Sequence, residues 1–316
     1  MSEKILTEDD INYAEVRDYI VFLIAKIGGK NGLSHKGIHK TCYVVKNNLG
    51  ESIEVNNQLP FYWYYFGPFS NVVETAISLA IEDDLIEEKI IEDRFKLLFI
   101  KDLNNYKEPK IKNLDKINDI IFKLKINPFE IEKLTEFIYK NNAPRVFRYN
   151  FYKTKQILNY QDDFLNRAKI NQDVIFDMGK KHILEWLYRS EATLPKDELF
   201  KNYLNPFSYY VSIFQRFIEQ KKKFDLELLD HLKDLIKLSD EVWETFGEGE
   251  RILSHDKFLP YEKSISKWKQ VYISHLESLN RNLKTYDNHF ISIIGLDNLK
   301  RTYTTREKDF LRTVLS

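Results

Sequence analysis

His35 and His39 stand four residues apart, which puts both imidazoles on one face of a helix and makes half of a zinc site. A metalloprotease helix would carry glutamate directly after the first histidine. Lys36 stands there, and Lys40 adds another positive charge beside any bound cation, so no metal is expected. Lys36, His39, Lys40 and Lys46 read instead as a basic, solvated helix face suited to a phosphate backbone or an acidic partner. A second candidate begins at Arg145, where Arg145, Arg148, Lys153 and Lys155 alternate with Phe147, Tyr149, Phe151 and Tyr152. Cations hold phosphates while bases stack on aromatic faces, so this composition suits nucleic acid. The competing reading is a helix start that buries Phe147 and Phe151 and leaves its arginines wet.

Catalytic signatures are missing. The sequence has no Gly-rich phosphate loop, no Gly-x-Ser-x-Gly elbow and no His-Glu-x-x-His. Gly247-Glu248-Gly249-Glu250 has the glycines of a phosphate loop, but its glutamates would repel phosphate and no strand precedes it. Cys42 falls on the apolar stripe of its helix, as a core thiol would. Adjacent carboxylates at Asp83-Asp84 and Asp162-Asp163 point in different directions on a helix. A non-enzymatic chain with no cofactor is the expectation.

With 316 residues, 43% of them apolar and 14% aromatic, the chain has material for two compact cores. One cysteine excludes an internal disulfide and a multi-cysteine zinc site. No run approaches the length of an uncharged membrane span, and Met1-Ser2-Glu3-Lys4 lacks the layout of an export signal, so a cytoplasmic protein is expected. The 48 basic and 48 acidic residues cancel, but unevenly: the first hundred residues hold 10 basic and 16 acidic, which leaves 38 and 32 for the rest.

Thr7-Glu8-Asp9-Asp10 predicts a helix start with acids in the first turn, and Val16, Ile20, Leu23 and Ile27 repeat at helical spacing up to Gly28-Gly29. A second helix follows from Ser34, with Ile38, Cys42, Val45 and Leu49 on its stripe and Gly50 at its end. The six aromatics from Phe61 to Phe66 predict a buried strand, then a corner at Gly67-Pro68, then a helix capped by Ser70. Val73, Ile77, Ala80 and Ile81 give that helix its apolar face, and residues 85–86 and 90–100 predict two strands turning at Glu92-Asp93-Arg94. Three helices and a β-hairpin in this order predict a winged helix over residues 1–103. Residues 104–143 read as a connecting region with short helices at 114–124 and 128–139, the second with Pro128 in its first turn. Beyond Pro144 the pattern is helical throughout, giving an all-α domain over 144–316. Its stripes include Leu229, Leu232, Ile236, Trp243 and Phe246, ended by Gly247 and Gly249, and Ile265, Trp268, Tyr272, Leu276, Leu279 and Leu283. The fold class is therefore mainly α.

Ile38-His39-Lys40-Thr41-Cys42-Tyr43-Val44-Val45 on the second helix, Phe66-Gly67-Pro68-Phe69-Ser70 at the corner and Leu85-Ile86 opening the hairpin resemble the Panacea group. That group includes SocA-like antitoxins and YwgA-like proteins, with a Gln-Lys-Leu-type helix, a Tyr-Gly-Pro-Tyr-Ser-type corner and a Gly-Leu-Ile turn. Here His39 stands where glutamine is usual, and Asp84 replaces the glycine before Leu85. The resemblance covers roughly the first third of the chain. It implies a small regulatory domain that works by binding, with no catalytic residues to carry over. The third helix agrees, since its stretch contains Glu74, Glu82, Asp83 and Asp84 and no lysine or arginine, a poor match for a phosphate-lined major groove. The expectation is regulation through a protein partner, antitoxin-like or adaptor-like, the partner being a toxin or a protease substrate. The C-terminal helices would supply a second contact surface or a homodimer interface. The alternative is a nucleic-acid-binding transcriptional regulator that uses the basic surfaces outside the third helix.

Overall fold

A computed structural model describes residues 5–50, 53–64, 67–91, 95–144, 183–219 and 226–294, and among these the chain is mainly α-helical. It divides into two compact units, one of Met1–Ala143 with Glu250–Lys269 and one of Pro144–Gly249 with Gln270–Ser316.

In the first unit, Thr7 and Asp10 close a capping box over a single 3-10 turn, Glu8–Asp10. The helix expected from Thr7 starts later, because Asn12 supplies the cap that accepts from the Glu15 amide at 3.3 Å. Helix α1 spans Tyr13–Leu23 and widens into a π turn, Ile24–Gly28. Strand β1, Leu33–Ser34, runs into α2, His35–Leu49, where Ser34 Oγ accepts from the Gly37 amide at 3.1 Å. Strands β2, Tyr62–Tyr64, and β3, Gly67–Phe69, pair antiparallel with Trp63 opposite Pro68. Ser70 caps α3, Asn71–Glu82, by accepting from the Val73 amide at 3.4 Å. Strands β4, Ile86–Ile91, and β5, Phe95–Ile100, then form a hairpin with Glu88 opposite Leu98, and β1 adds to β5, giving the order β1-β5-β4. This is a winged helix, with β4 and β5 as the wing. Its core is the meeting of three stripes: Val16, Ile20 and Leu23 of α1, Ile38, Cys42 and Val45 of α2, and Val73, Ala76 and Ala80 of α3, all fully buried. Each buried Val, Ile or Leu contributes about 1.5–3 kcal/mol.

Of the aromatic run, Tyr62–Tyr64 forms β2, and Gly67-Pro68-Phe69, expected as a corner, is a strand of its own, lying back on β2 with Gly67 at φ +106°. The outer edge of β2 is paired as well. Trp63 N donates to Ser254 O at 3.2 Å, and Asp256 N donates to Phe61 O at 2.7 Å. Tyr62 packs against Tyr261 and Trp268, with ring centres 5.1 and 5.3 Å away. These bonds place 250–269 in the first unit, away from the surrounding sequence to which the expected boundary at 144 assigns it.

Helices α4, Leu114–Lys123, and α5, Ile131–Asn141, complete the first unit. Pro128 lies in a turn before α5, where Asn127 Oδ1 accepts from Phe129 N at 3.0 Å, and Glu130 takes the N-cap position. The linker expected at 104–113 contains neither helix nor strand.

The described residues of the second unit are helical apart from Pro144 and the turn at 193–197. Helix α6, Glu198–Glu219, buries Phe200, Tyr203, Phe207, Tyr210, Phe214 and Phe217, a heptad-like stripe of aromatics along one face. Within this unit, Phe200 meets Phe246 of α7, Leu226–Leu253, at 5.0 Å, and Tyr203 OH donates to Val242 O at 2.9 Å. Tyr272 of α8, Leu259–Ile294, donates to Leu199 O at 3.2 Å. Gly247 and Gly249 do not end their helix. Gly249 is required by close approach, since a Cβ there would meet Phe200 Cζ at 2.7 Å. Among the described residues no helix is long and apolar enough to cross a membrane.

Gly67→Ala should cost about 1–3 kcal/mol in denaturant unfolding, because a side chain must adopt φ +106° and its Cβ would stand 2.8 Å from the buried Lys40 Nζ. Gly29→Ala, at φ +51° with nothing within 4 Å, should cost less. Equal losses would show that the space at Gly67 is irrelevant.

Candidate functional site

The most organised polar chemistry lies where α2, α3 and the Gly67–Ser70 corner meet. Lys40 is 1% exposed, with its ammonium against the backbone of Gly67 and 5.6 Å from the centre of the Tyr139 ring. Burial, helped by the charge of Lys36, lowers its pKa to about 7, against a smaller upward pull from Glu132.

His39, one residue earlier, is 4% exposed and stacks on Phe69 with ring centres 4.3 Å apart. Its Nδ1 accepts from Ser70 N at 3.3 Å, so the proton sits on Nε2, which lies 2.6 Å from Glu74 Oε1. Burial holds the His39 pKa below the ordinary histidine value in spite of Glu74. His35 differs. Its Nδ1 lies 3.2 Å from Glu74 Oε2 and its Nε2 3.0 Å from Glu88 Oε1, and the hydrogen bond to Glu74 is the main cause of a raised pKa. Burial alone would lift Glu74, but hydrogen bonds from His35 and His39 outweigh it and bring the carboxyl down to about 2. One carboxylate on α3 thus joins both histidines of α2.

The solvated basic face expected on α2 does not form. His39 and Lys40 are inside, Lys36 Nζ is paired with Glu132 of α5 at 2.7 Å, and Lys46 Nζ reaches Asp256 at 2.6 Å and Leu59 O at 2.7 Å. The reason is packing: α2 is covered by the corner, by α5 and by the returning segment that carries Asp256. Arg145, Arg148, Lys153 and Lys155 lie outside the described residues, as does the Asp162-Asp163 pair. Gly67 and Ser70 are brought directly onto Lys40 and His39, with Pro68 between them in β3.

Glu74, one of the four acids counted on the third helix, turns to the histidines of α2. Asp83 and Asp84 are also spent, on Arg17 and Lys101. The exposed side of α3 is left with Asn71, Thr75, Ser78, Glu82 and Ile81, the last expected on the buried stripe but 39% exposed, and it carries no cation. The one available signal for Glu74 was the pair of histidines four apart, which needed an acidic partner from another element.

Among the described residues no group of three or more His, Cys, Asp or Glu could hold a metal ion. Cys42 is a core thiol whose pKa burial pushes upward. Beside His35 a groove of about 800 Å³ runs between the wing and the start of α5, lined by Ile91, Leu97, Pro128, Phe129 and Ile131. Phe129 at its rim is 79% exposed. Comparison with protein-family models, with curated proteins and with solved structures found no match to this chain.

The folded Glu74 carboxyl ionises near pH 2, against an ordinary 4.5, so its contribution is whole above pH 4.5 and is lost as pH falls through 2. Glu74→Gln should therefore cost about 1–2 kcal/mol near neutral pH, a figure discounted for the water-exposed part of the side chain. Urea melts of both proteins at a series of pH values should converge below pH 4.5. A gap that stays constant to the acid end would contradict the assignment.

Proposed function

We propose that this protein is a regulatory binding protein, antitoxin-like or adaptor-like, whose first unit contacts a protein partner. The observation that carries this reading is the contrast between the cations around α1, α2 and the wing and the apolar groups exposed on that unit. Arg17, Lys36, Lys46, Lys89, Lys96 and Lys101 each lie against a carboxylate of the same unit. Phe122, Phe129 and Ile90, by contrast, stand 84%, 79% and 64% exposed.

Duplex binding draws most of its strength from lysines and arginines that exchange counterions for phosphates. The helix that would enter a major groove has no cation on its exposed side, and the wing lysines Lys89 and Lys96 are paired with Glu87 and Glu88. Large apolar side chains held in water gain free energy when a protein surface covers them. The Panacea resemblance supports the same reading, since it implies a domain that acts by binding and brings no catalytic residues. The helical second unit offers a further contact surface or a dimer interface.

A partner co-purified from the native host should remain bound at about 0.5 M salt, where phosphate contacts are screened. Phe129→Asp should weaken that partner by roughly tenfold or more without lowering Tm, since the side chain packs on little of its own fold. Steeply salt-dependent binding to DNA or RNA, reduced by Arg145→Ala and Arg148→Ala, would instead make the protein a nucleic-acid binder.

A further inference from the structure

His35 is gripped at both ends of its ring by carboxylates from two other elements, Glu74 of α3 and Glu88 of β4, at 3.2 and 3.0 Å. A neutral imidazole has one N–H and can donate to only one of them, so this geometry requires the imidazolium. We propose that His35 is a pH-operated clasp that holds the outer strand of the wing against α2 and α3 while protonated and releases Glu88 on losing that proton.

The neighbouring charges decide which bond breaks. Glu74 is already tied to His39 Nε2 at 2.6 Å, with His39 Nδ1 committed to Ser70 N, so it is held beside His35 by a second histidine. Glu88 has water and, at 2.9 Å, Lys96 Nζ of β5 to turn to. The single N–H of a neutral His35 therefore stays with Glu74. Lys36 and Glu132, which line the same groove, pair with each other at 2.7 Å and offer His35 no replacement.

Beyond the buried Ile86, the other polar ties of β4 among the described residues stay within the wing. Glu87 pairs with Lys89, Glu88 with Lys96, and Lys89 lies 5.2 Å from the centre of the Phe99 ring. The inner strand β5 remains paired to β1 through Leu98 and Leu33, so release concerns β4 and not the whole hairpin. Glu88 and Ile91 also form one wall of the groove that Phe129 borders, so the shape of that groove follows the clasp.

The sign is set by the raised His35 pKa. The tie is fully present below the ordinary value of 6.5 and is lost as pH rises through the higher folded value.

NMR of the full chain from pH 5 to 9, with His35 assigned by its disappearance in His35→Gln, reads this directly. His35 should titrate with a midpoint above 6.5, and the amides of Glu87 to Ile91 should shift with the same midpoint. Glu88→Gln should lower the His35 midpoint, and His35→Gln should abolish the β4 transition. A wild-type His35 midpoint at or below 6.5, β4 amides indifferent to it, or a midpoint unmoved by Glu88→Gln would each overturn the proposal. The wild-type titration decides even where a variant fails to fold.

Discussion

Lys40 lies under Gly67 with its ammonium in the space where any other residue would carry a side chain. A lysine this enclosed loses most of its hydration, and placing it there costs several kcal/mol unless the surrounding packing and polar contacts compensate. Its position makes α2 and the corner a single object. The same turn of α2 puts His39 flat on Phe69 and within reach of Ser70 N, so the corner is held at Gly67, Phe69 and Ser70. Ser70 in turn caps α3, and Glu74 on the first turn of α3 closes back on the histidines of α2. The entry of α3, and through His35 the outer strand of the wing, both follow from this contact.

Chemistry that looks like a site in one dimension is here mostly structural. The histidine pair suggests half a metal centre, and the fold joins both rings to the Glu74 carboxylate. The lysines of α2 suggest a phosphate surface, and the fold directs each inward or against an acid. Pairing of this kind engages the lysines of α2 and of the wing with acids or the core, while Phe129, Phe122 and Ile90 remain in water.

What was legible in the sequence was local. The stripes on α1, α2 and α3, the Ser34 and Ser70 caps and the β4–β5 hairpin all depend on neighbours a few residues away, and together they specify the winged helix. Three features were hidden because they depend on distant pairs. The return of 250–269 is bonded across 195 residues where Phe61 N meets Asp256. Glu74 faces in or out according to how α3 crosses α2, which no spacing reveals. Gly249 looks like a helix end, but its meaning is the approach of Phe200. The aromatic stripe of α6 is different: its spacing is local, yet the stripes read from the sequence of the second unit were those of α7 and α8. For the candidate site, residue types were readable, but whether each faced water or the core was not.

The contact between α2 and the corner is tested most directly by a double-mutant cycle of His39→Ala and Phe69→Ala, read by equilibrium unfolding. The stacked pair predicts a coupling energy of about 1 kcal/mol or more, because either truncation removes the partner the other ring packs on. Losses that add to within about 0.3 kcal/mol would show that α2 and the corner are held independently.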